Sequence, residues 1–144
     1  MENRFPTVWR RVTGELQPVS DKLRRLAFLK YSAHCHYHRL AASPACCRLS
    51  GFFARLAREE LCHLRQLNAL YYLLNGERLT LSEPPEAHPA ELLTALRESY
   101  QRETELAQVF LSCASDAIGV SLRSIAEADA AHAEQLVRQT DRLL

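Results

Sequence analysis

The sequence predicts an all-α fold: a four-helix bundle with one long crossover between its second and third helices. Three observations lead to this prediction. Apolar residues recur at alternating spacings of three and four, which is the period of a helix that buries one face. Only 4 Gly and 6 Pro occur among the 144 residues, so few positions favour loops. One long stretch, 76–88, is rich in helix-breaking residues and divides the chain. No segment alternates like a strand.

The first helical hairpin is delimited by short turn signals. Helix one is predicted from about Pro18 to Ala42. Ser43 then provides an N-cap, and Pro44 opens helix two, because proline is tolerated in the first turn of a helix. Helix two is predicted to end at Asn75-Gly76, a typical C-terminal stop.

The second hairpin follows the long link. Pro89 is predicted to open helix three, which carries Glu91 in its first turn and runs to about Ala114. Ser115-Asp116 is predicted to cap helix four, which runs to the C-terminus. At about 3.3 Å per residue, the link 76–88 is long enough to travel the length of a bundle.

The chain is predicted to contain a single folded domain. Residues 18–144 form the bundle, and residues 1–17 form an N-terminal arm or a short docking helix through Trp9, Val12 and Leu16. A chain of 144 residues has the size of one domain with a single hydrophobic core.

Composition excludes several classes of protein. With 18 basic and 17 acidic residues the formal net charge is +1, and no basic patch indicates a nucleic-acid binder. No run of about 20 apolar residues predicts a membrane span. The polar N-terminus does not resemble a signal peptide, so a cytoplasmic location is expected. Five cysteines without regular spacing indicate reduced thiols and not a disulfide framework.

The inward-facing positions of the helices are apolar except near their middle. There, helix two places Glu60 and His63, helix three places Glu103, and helix four places Asp129 and His132. Residues three apart share one face of a helix, so each carboxylate–histidine pair can reach one point. Burying three carboxylates requires a compensating cation, and carboxylates with neutral imidazoles suit iron, manganese or zinc. These five residues are therefore the predicted metal ligands.

On these residues the chain resembles the ferritin-like superfamily, in particular the diiron domain of rubrerythrins. Glu60-Leu61-Cys62-His63 matches the family's Glu-x-x-His on its second helix. Asp129-Ala130-Ala131-His132 matches the second such motif, with Asp in place of Glu. The similarity covers residues 18–144 and implies a ferritin-like bundle that reacts with peroxide or oxygen.

The sequence departs from that family on helix one. A gapless match places Ala27 where the family has a glutamate ligand, and the inward face offers Lys30 instead. A lysine ammonium can replace a metal by pairing with Glu60 or Glu103, but it cannot ligate a metal while it stays charged. On helix three, a gapless match selects Glu98, whereas the inward spacing selects Glu103. The rubredoxin-type cysteine pairs are also missing, so an electron donor would have to be a separate protein.

Three further residues are predicted to modulate the site. His34 is able to lean toward it and replace the missing ligand, to act with His38 as a separate metal clamp, or simply to belong to a polar flank of helix one. Tyr37 and Tyr100 are expected near the site, either as hydrogen-bond partners of its ligands or as ordinary core aromatics.

Two functional interpretations remain open from the sequence. The first is a metal-dependent oxidoreductase with one or two ions of iron, or with manganese or zinc. The second is a non-catalytic, degenerate bundle for metal storage, sensing or protein interaction, with Lys30 replacing a metal and no cofactor. A homodimer is expected by analogy with related bundles. The sequence assigns no catalytic residue.

Overall fold

The computed structural model describes the backbone of residues 5–85, 91–113 and 119–144, and their side chains except those of 5–18 and 120. The predicted all-α class is confirmed: the described residues form helices and no strand. In chain order the elements are α1 Phe5–Ala42, a 3-10 turn Pro44–Leu49, α2 Ser50–Asn75, α3 Leu92–Ser112 and α4 Gly119–Leu143. Among these elements, no helix combines the length and hydropathy that a membrane span requires.

The first helix begins earlier than predicted. It starts at Phe5, not near Pro18. The apolar spacing in the sequence continues through Val12, Leu16 and Val19, and this helical pattern prevails over the cost of an interior proline, which is about 3 kcal/mol. The division into an arm 1–17 and a bundle 18–144 stays a prediction.

The turn between α1 and α2 is longer than the sequence indicated. Ser43 is extended and precedes Pro44, as expected of an N-cap, but its hydroxyl makes no capping bond. The chain first forms a 3-10 turn, in which Cys46 N–H donates to Ser43 O at 3.1 Å. The α-helix begins only at Ser50, whose hydroxyl donates to Ala41 O at 2.6 Å and ties the two helices together.

The end of α2 confirms one prediction, and the start of α3 corrects another. Gly76 has φ of 74°, a left-handed conformation that favours glycine, and it closes α2 as expected. Helix α3 begins at Leu92, because Glu91 is extended and acts as its N-cap. Pro89 and Ser115-Asp116 lie outside the described residues.

Two apolar clusters fill the bundle on either side of a polar layer. The first cluster includes Leu26, Leu67 and Phe110. The second includes Phe53 and Leu136. The polar layer lies between them along α2, α3 and α4. It consists of buried charged and imidazole side chains: Lys30, Glu60, Glu103, Asp129 and His132.

The described part of the link contacts two levels of the bundle. Leu79 and Leu81 pack against the first cluster. Farther along, the Arg39 guanidinium donates to Pro84 O at 3.4 Å and to Pro85 O at 3.3 Å. The segment 76–85 thus contacts both the end of α2 and the C-terminal part of α1.

Candidate metal centre

Four of the five predicted ligands meet in the polar layer. Glu60, Glu103 and Asp129 are completely buried, and His132 is 3% exposed. One ligand atom from each of these side chains lies within 4.8 Å of the others. Three helices therefore supply oxygen and nitrogen ligands to one small volume.

The local helix geometry explains this convergence. Asp129 and His132 are three residues apart on α4 and both point into the bundle, since positions i and i+3 lie on the same face. Glu60 lies on α2 between the buried Ala57 and Leu64. Glu60 therefore lies on the buried face of α2 because it follows the same spacing as the apolar residues of that face.

The fifth predicted ligand, His63, lies at the edge of this group. Its Nδ1 is 3.7 Å from Glu60 Oε2 and 3.8 Å from Asp129 Oδ1, and it has no hydrogen-bond partner. Its ring lies nearly parallel to that of His132, with 6.1 Å between ring centroids. His63 is thus adjacent to the four converging residues, with 12% of its side chain exposed.

Lys30 contributes the cation of this layer. Its Nζ donates to Glu60 Oε2 at 2.7 Å and also to Asp129 Oδ1. The ammonium lies 5.1 Å from the centroid of the Phe110 ring. Lys30 is itself completely buried, so these contacts are made away from solvent.

His132 connects the buried acids to the surface. Its Nδ1 is 3.2 Å from Glu60 Oε1 and 3.5 Å from Glu103 Oε2. On the other side of the ring, Nε2 bonds to Glu59 Oε2. Glu59 is a site residue that was not predicted from the sequence, because it lies beside the inward face of α2 and not on it; its side chain is 40% exposed. The adjacent acids Glu59-Glu60 were the only signal for it in the sequence.

The predicted modulators separate into different environments. Tyr37 is buried, and its hydroxyl donates to Glu103 Oε1 at 2.6 Å. The His34 Nδ1 instead lies 2.8 Å from the backbone oxygen of Ala57. The prediction for Tyr100 is wrong: it is 42% exposed, because Ser99 occupies the buried face of α3 at that level.

Burial and neighbouring charges shift the pKa values of the three buried acids in different directions. Burial is the main cause that raises the pKa of Asp129 to about 8; the Lys30 ammonium opposes it, and the charges of Glu60 and Glu103 add to it. Burial also raises the pKa of Glu103. For Glu60, burial acts in the same direction, but the neighbouring imidazoles and Lys30 outweigh it and hold the pKa well below its usual range.

The imidazole of His132 responds to the same carboxylates. Burial lowers its pKa, yet Glu103 and Glu60 together raise it to about 10. Without metal, His132 is therefore an imidazolium at neutral pH, and both ring nitrogens donate. A metal bound at Nδ1 would have to displace one of these protons.

The donor set fits a divalent metal ion. Glu103 Oε2 and Asp129 Oδ2 are buried and have no hydrogen-bond partner, as is also true of the His63 Nδ1. Leaving such an atom unpaired costs about 1–3 kcal/mol each. Carboxylate oxygens and imidazole nitrogens are the ligands that iron, manganese and zinc accept in proteins.

No protein-family model matches the sequence, and no curated protein is significantly similar to it.

Proposed function

We propose that the protein is a ferritin-like metal-binding bundle that holds one divalent ion in its polar layer. Glu60, Glu103, Asp129 and His132 are the ligands, and His63 completes the coordination from the edge of the group. The observation that carries the proposal is the pair of unpartnered oxygens on Glu103 and Asp129, in a layer where the other ligand atoms already converge.

Charge balance supports one ion. With the ion bound, all three buried carboxylates are deprotonated and carry three negative charges, and Lys30 compensates one of them. A single divalent ion beside neutral His132 compensates the remaining two. A second divalent ion would leave the layer positively charged, which is costly in a low-dielectric interior.

The ligand chemistry narrows the ion to iron, manganese or zinc. Bound iron or manganese would supply one-electron chemistry with peroxide or oxygen, the reaction that the resemblance to rubrerythrins implies. Tyr37 would then hold Glu103 in place through its hydroxyl. Reducing equivalents would come from a separate protein, as the missing rubredoxin-type cysteine pairs require.

Two further parts of the proposal concern the fold and the setting. The link 76–85 contacts α1 near Arg39, which supports a ferritin-like crossover along the bundle. All five cysteines are free thiols, which supports a reducing, cytoplasmic setting. Pairing of two copies through helices stays part of the proposal by analogy alone.

A specific observation favours a second candidate. Lys30 bonds to both Glu60 and Asp129, so the layer already contains one internal cation. In this candidate the bundle is non-catalytic, and the buried polar network only fixes the packing of the helices.

Metal analysis of the purified protein separates the two candidates. The protein is supplied in turn with Fe²⁺, Mn²⁺ and Zn²⁺, passed through a desalting column and measured by mass spectrometry of the elements. We expect one ion per chain, and Glu103→Gln should lower this occupancy at least tenfold.

The matched control is Glu105→Gln, which removes an exposed acid from the same helix. It should retain one ion per chain. Absence of bound metal from the parent protein would support the non-catalytic bundle, and two ions per chain would contradict the one-ion site.

A further inference from the structure

Glu59 links the buried layer to solvent. One of its carboxylate oxygens bonds to the Nε2 of His132, whose Nδ1 faces Glu60 and Glu103. The His132 ring is 3% exposed, whereas 40% of the Glu59 side chain is exposed. A single side chain thus separates the buried acids from an accessible carboxylate.

Arg55 covers this carboxylate from the outside. Its Nη1 donates to Glu59 Oε1 at 3.2 Å, and its Nη2 donates to Gln135 Oε1 at 2.9 Å. The guanidinium also lies 5.4 Å from the centroid of the Phe52 ring. Because Gln135 is on α4, Arg55 bridges α2 and α4 next to the Glu59–His132 contact.

We infer that Glu59 forms the entrance of the metal site, where it is the first carboxylate that a divalent cation meets between α2 and α4 and where it also positions His132. This inference rests on the proposed function. It assigns Glu59 two separable roles: its charge attracts the cation, and its hydrogen bond orients the imidazole.

Glu59 can attract a divalent cation because its carboxylate is exposed to solvent. A hydrated divalent cation can bind a half-exposed carboxylate before it loses its water, whereas the completely buried acids are reached only after dehydration. The Arg55 guanidinium opposes this approach, because it is a cation paired with the same carboxylate. Uptake therefore requires exchange of Arg55 for the incoming ion at Glu59.

Orientation follows from the second ring nitrogen. A histidine that ligates a metal commonly donates its other N–H to a carboxylate, which fixes the ring and its tautomer. Here the Nε2–H bonds to Glu59, and the ring thereby presents Nδ1 to the converging ligand atoms of Glu60 and Glu103. Loss of such an outer partner typically lowers metal affinity 10–100-fold.

Stopped-flow uptake of Co²⁺, followed by its visible absorption, tests the first role. Glu59→Gln removes the charge but keeps an oxygen that can accept from His132. We expect an association rate at least tenfold lower than that of the parent protein. Arg55→Gln should raise the rate severalfold, because it removes the opposing cation.

The control for the rate is Glu134→Gln. Glu134 is an exposed acid on α4 whose carboxylate lies 3.7 Å from Arg138, so the variant makes the same charge change away from the entrance. It should bind Co²⁺ at the parental rate. An unchanged rate in Glu59→Gln, with normal binding by the parent, overturns the entrance while the proposed function stands. A parent protein that binds no Co²⁺ overturns both.

NMR of the metal-free protein tests the second role without any ion. In long-range ¹H–¹⁵N spectra, the Nε2–H of His132 should be visible because its hydrogen bond slows exchange with water. Glu59→Gln should retain this signal, and Glu59→Ala should lose it. Persistence of the signal in Glu59→Ala overturns the positioning role.

Discussion

At the scale of single residues, the feature with the largest consequence is the buried Lys30. Its ammonium contacts two buried carboxylates, and removing one partner of such a group leaves uncompensated charge in the interior. Lys30→Met should therefore lower the free energy of unfolding of the metal-free protein by about 3–5 kcal/mol. Urea denaturation at pH 7 measures this change.

The control for Lys30 is Arg25→Met, which removes an exposed cation from the same helix. Surface substitutions of this kind usually change stability by less than about 0.5 kcal/mol. Equal stability of Lys30→Met and Arg25→Met would show that the ion pairs of Lys30 do not hold the layer together.

A second residue-scale prediction concerns His36. Burial lowers its pKa to about 3, assisted by the charges of Arg102 and Arg39, and its Nε2 lies 2.9 Å from Ser99 Oγ. The folded state therefore keeps His36 neutral, while the unfolded chain protonates it below about pH 6.5. The contribution of neutral His36 to the free energy of unfolding is therefore fully present above about pH 6.5 and is lost as the pH falls toward 3.

His36→Gln should remove this part of the pH dependence. Between pH 7 and pH 5 the parent should lose about 2 kcal/mol more than the variant, at up to about 1.4 kcal/mol per pH unit. Urea unfolding at both pH values measures the difference. His38→Gln, on the exposed side of α1, is the matched control, and identical pH dependence of the parent and His36→Gln would contradict the prediction.

The sequence located most of the buried polar residues because burial in a bundle follows a simple period. Counting alternate steps of three and four reached Lys30, Glu60 and Asp129, all of which are completely buried. The same counting failed on α3, where it selected Tyr100 although the buried residue is its neighbour Ser99. It also could not find Glu59, because a half-exposed residue has no periodic signature and its role depends on a contact with α4.

At the scale of helices, two glycines at opposite ends of α2 give opposite predictions for the same substitution, glycine to alanine. Gly76 closes the helix with φ of 74°, so Gly76→Ala forces a side chain into a strained conformation. Gly51 lies in the first turn, and a Cβ there would meet no atom within 4 Å. Gly76→Ala should destabilise the protein by about 1 kcal/mol, and Gly51→Ala should stabilise it by about 0.5–1 kcal/mol.

Thermal unfolding of both variants is the measurement, and each serves as the control for the other. Changes of the same sign would show that local backbone preference does not set the limits of α2.

The sequence predicted the end of α2 at Gly76, because a helix that ends in a left-handed conformation favours glycine at that position. It did not predict the start, since the 3-10 turn Pro44–Leu49 satisfies the same Ser-Pro signal as an α-helix.

At the scale of the whole molecule, the polar layer is shared between two hairpins. The α1/α2 hairpin supplies Lys30 and Glu60, and the α3/α4 hairpin supplies Glu103, Asp129 and His132. The sequence predicted this sharing from the inward-facing positions near the middle of helices two, three and four. It could not place Lys30 between two acids from different hairpins, because that arrangement depends on how the hairpins dock.

A metal held by ligands from both hairpins should stabilise the bundle as one unit. At a free metal concentration of 100 Kd, the free energy of unfolding should rise by about 2.7 kcal/mol. Because Glu60 and Glu103 belong to different hairpins, amides in all four helices should then gain similar protection against hydrogen exchange. Glu103→Gln should abolish this gain, and Glu105→Gln should retain it. Protection confined to α1 and α2 would mean that the ion binds one hairpin alone, and the shared site would have to be abandoned.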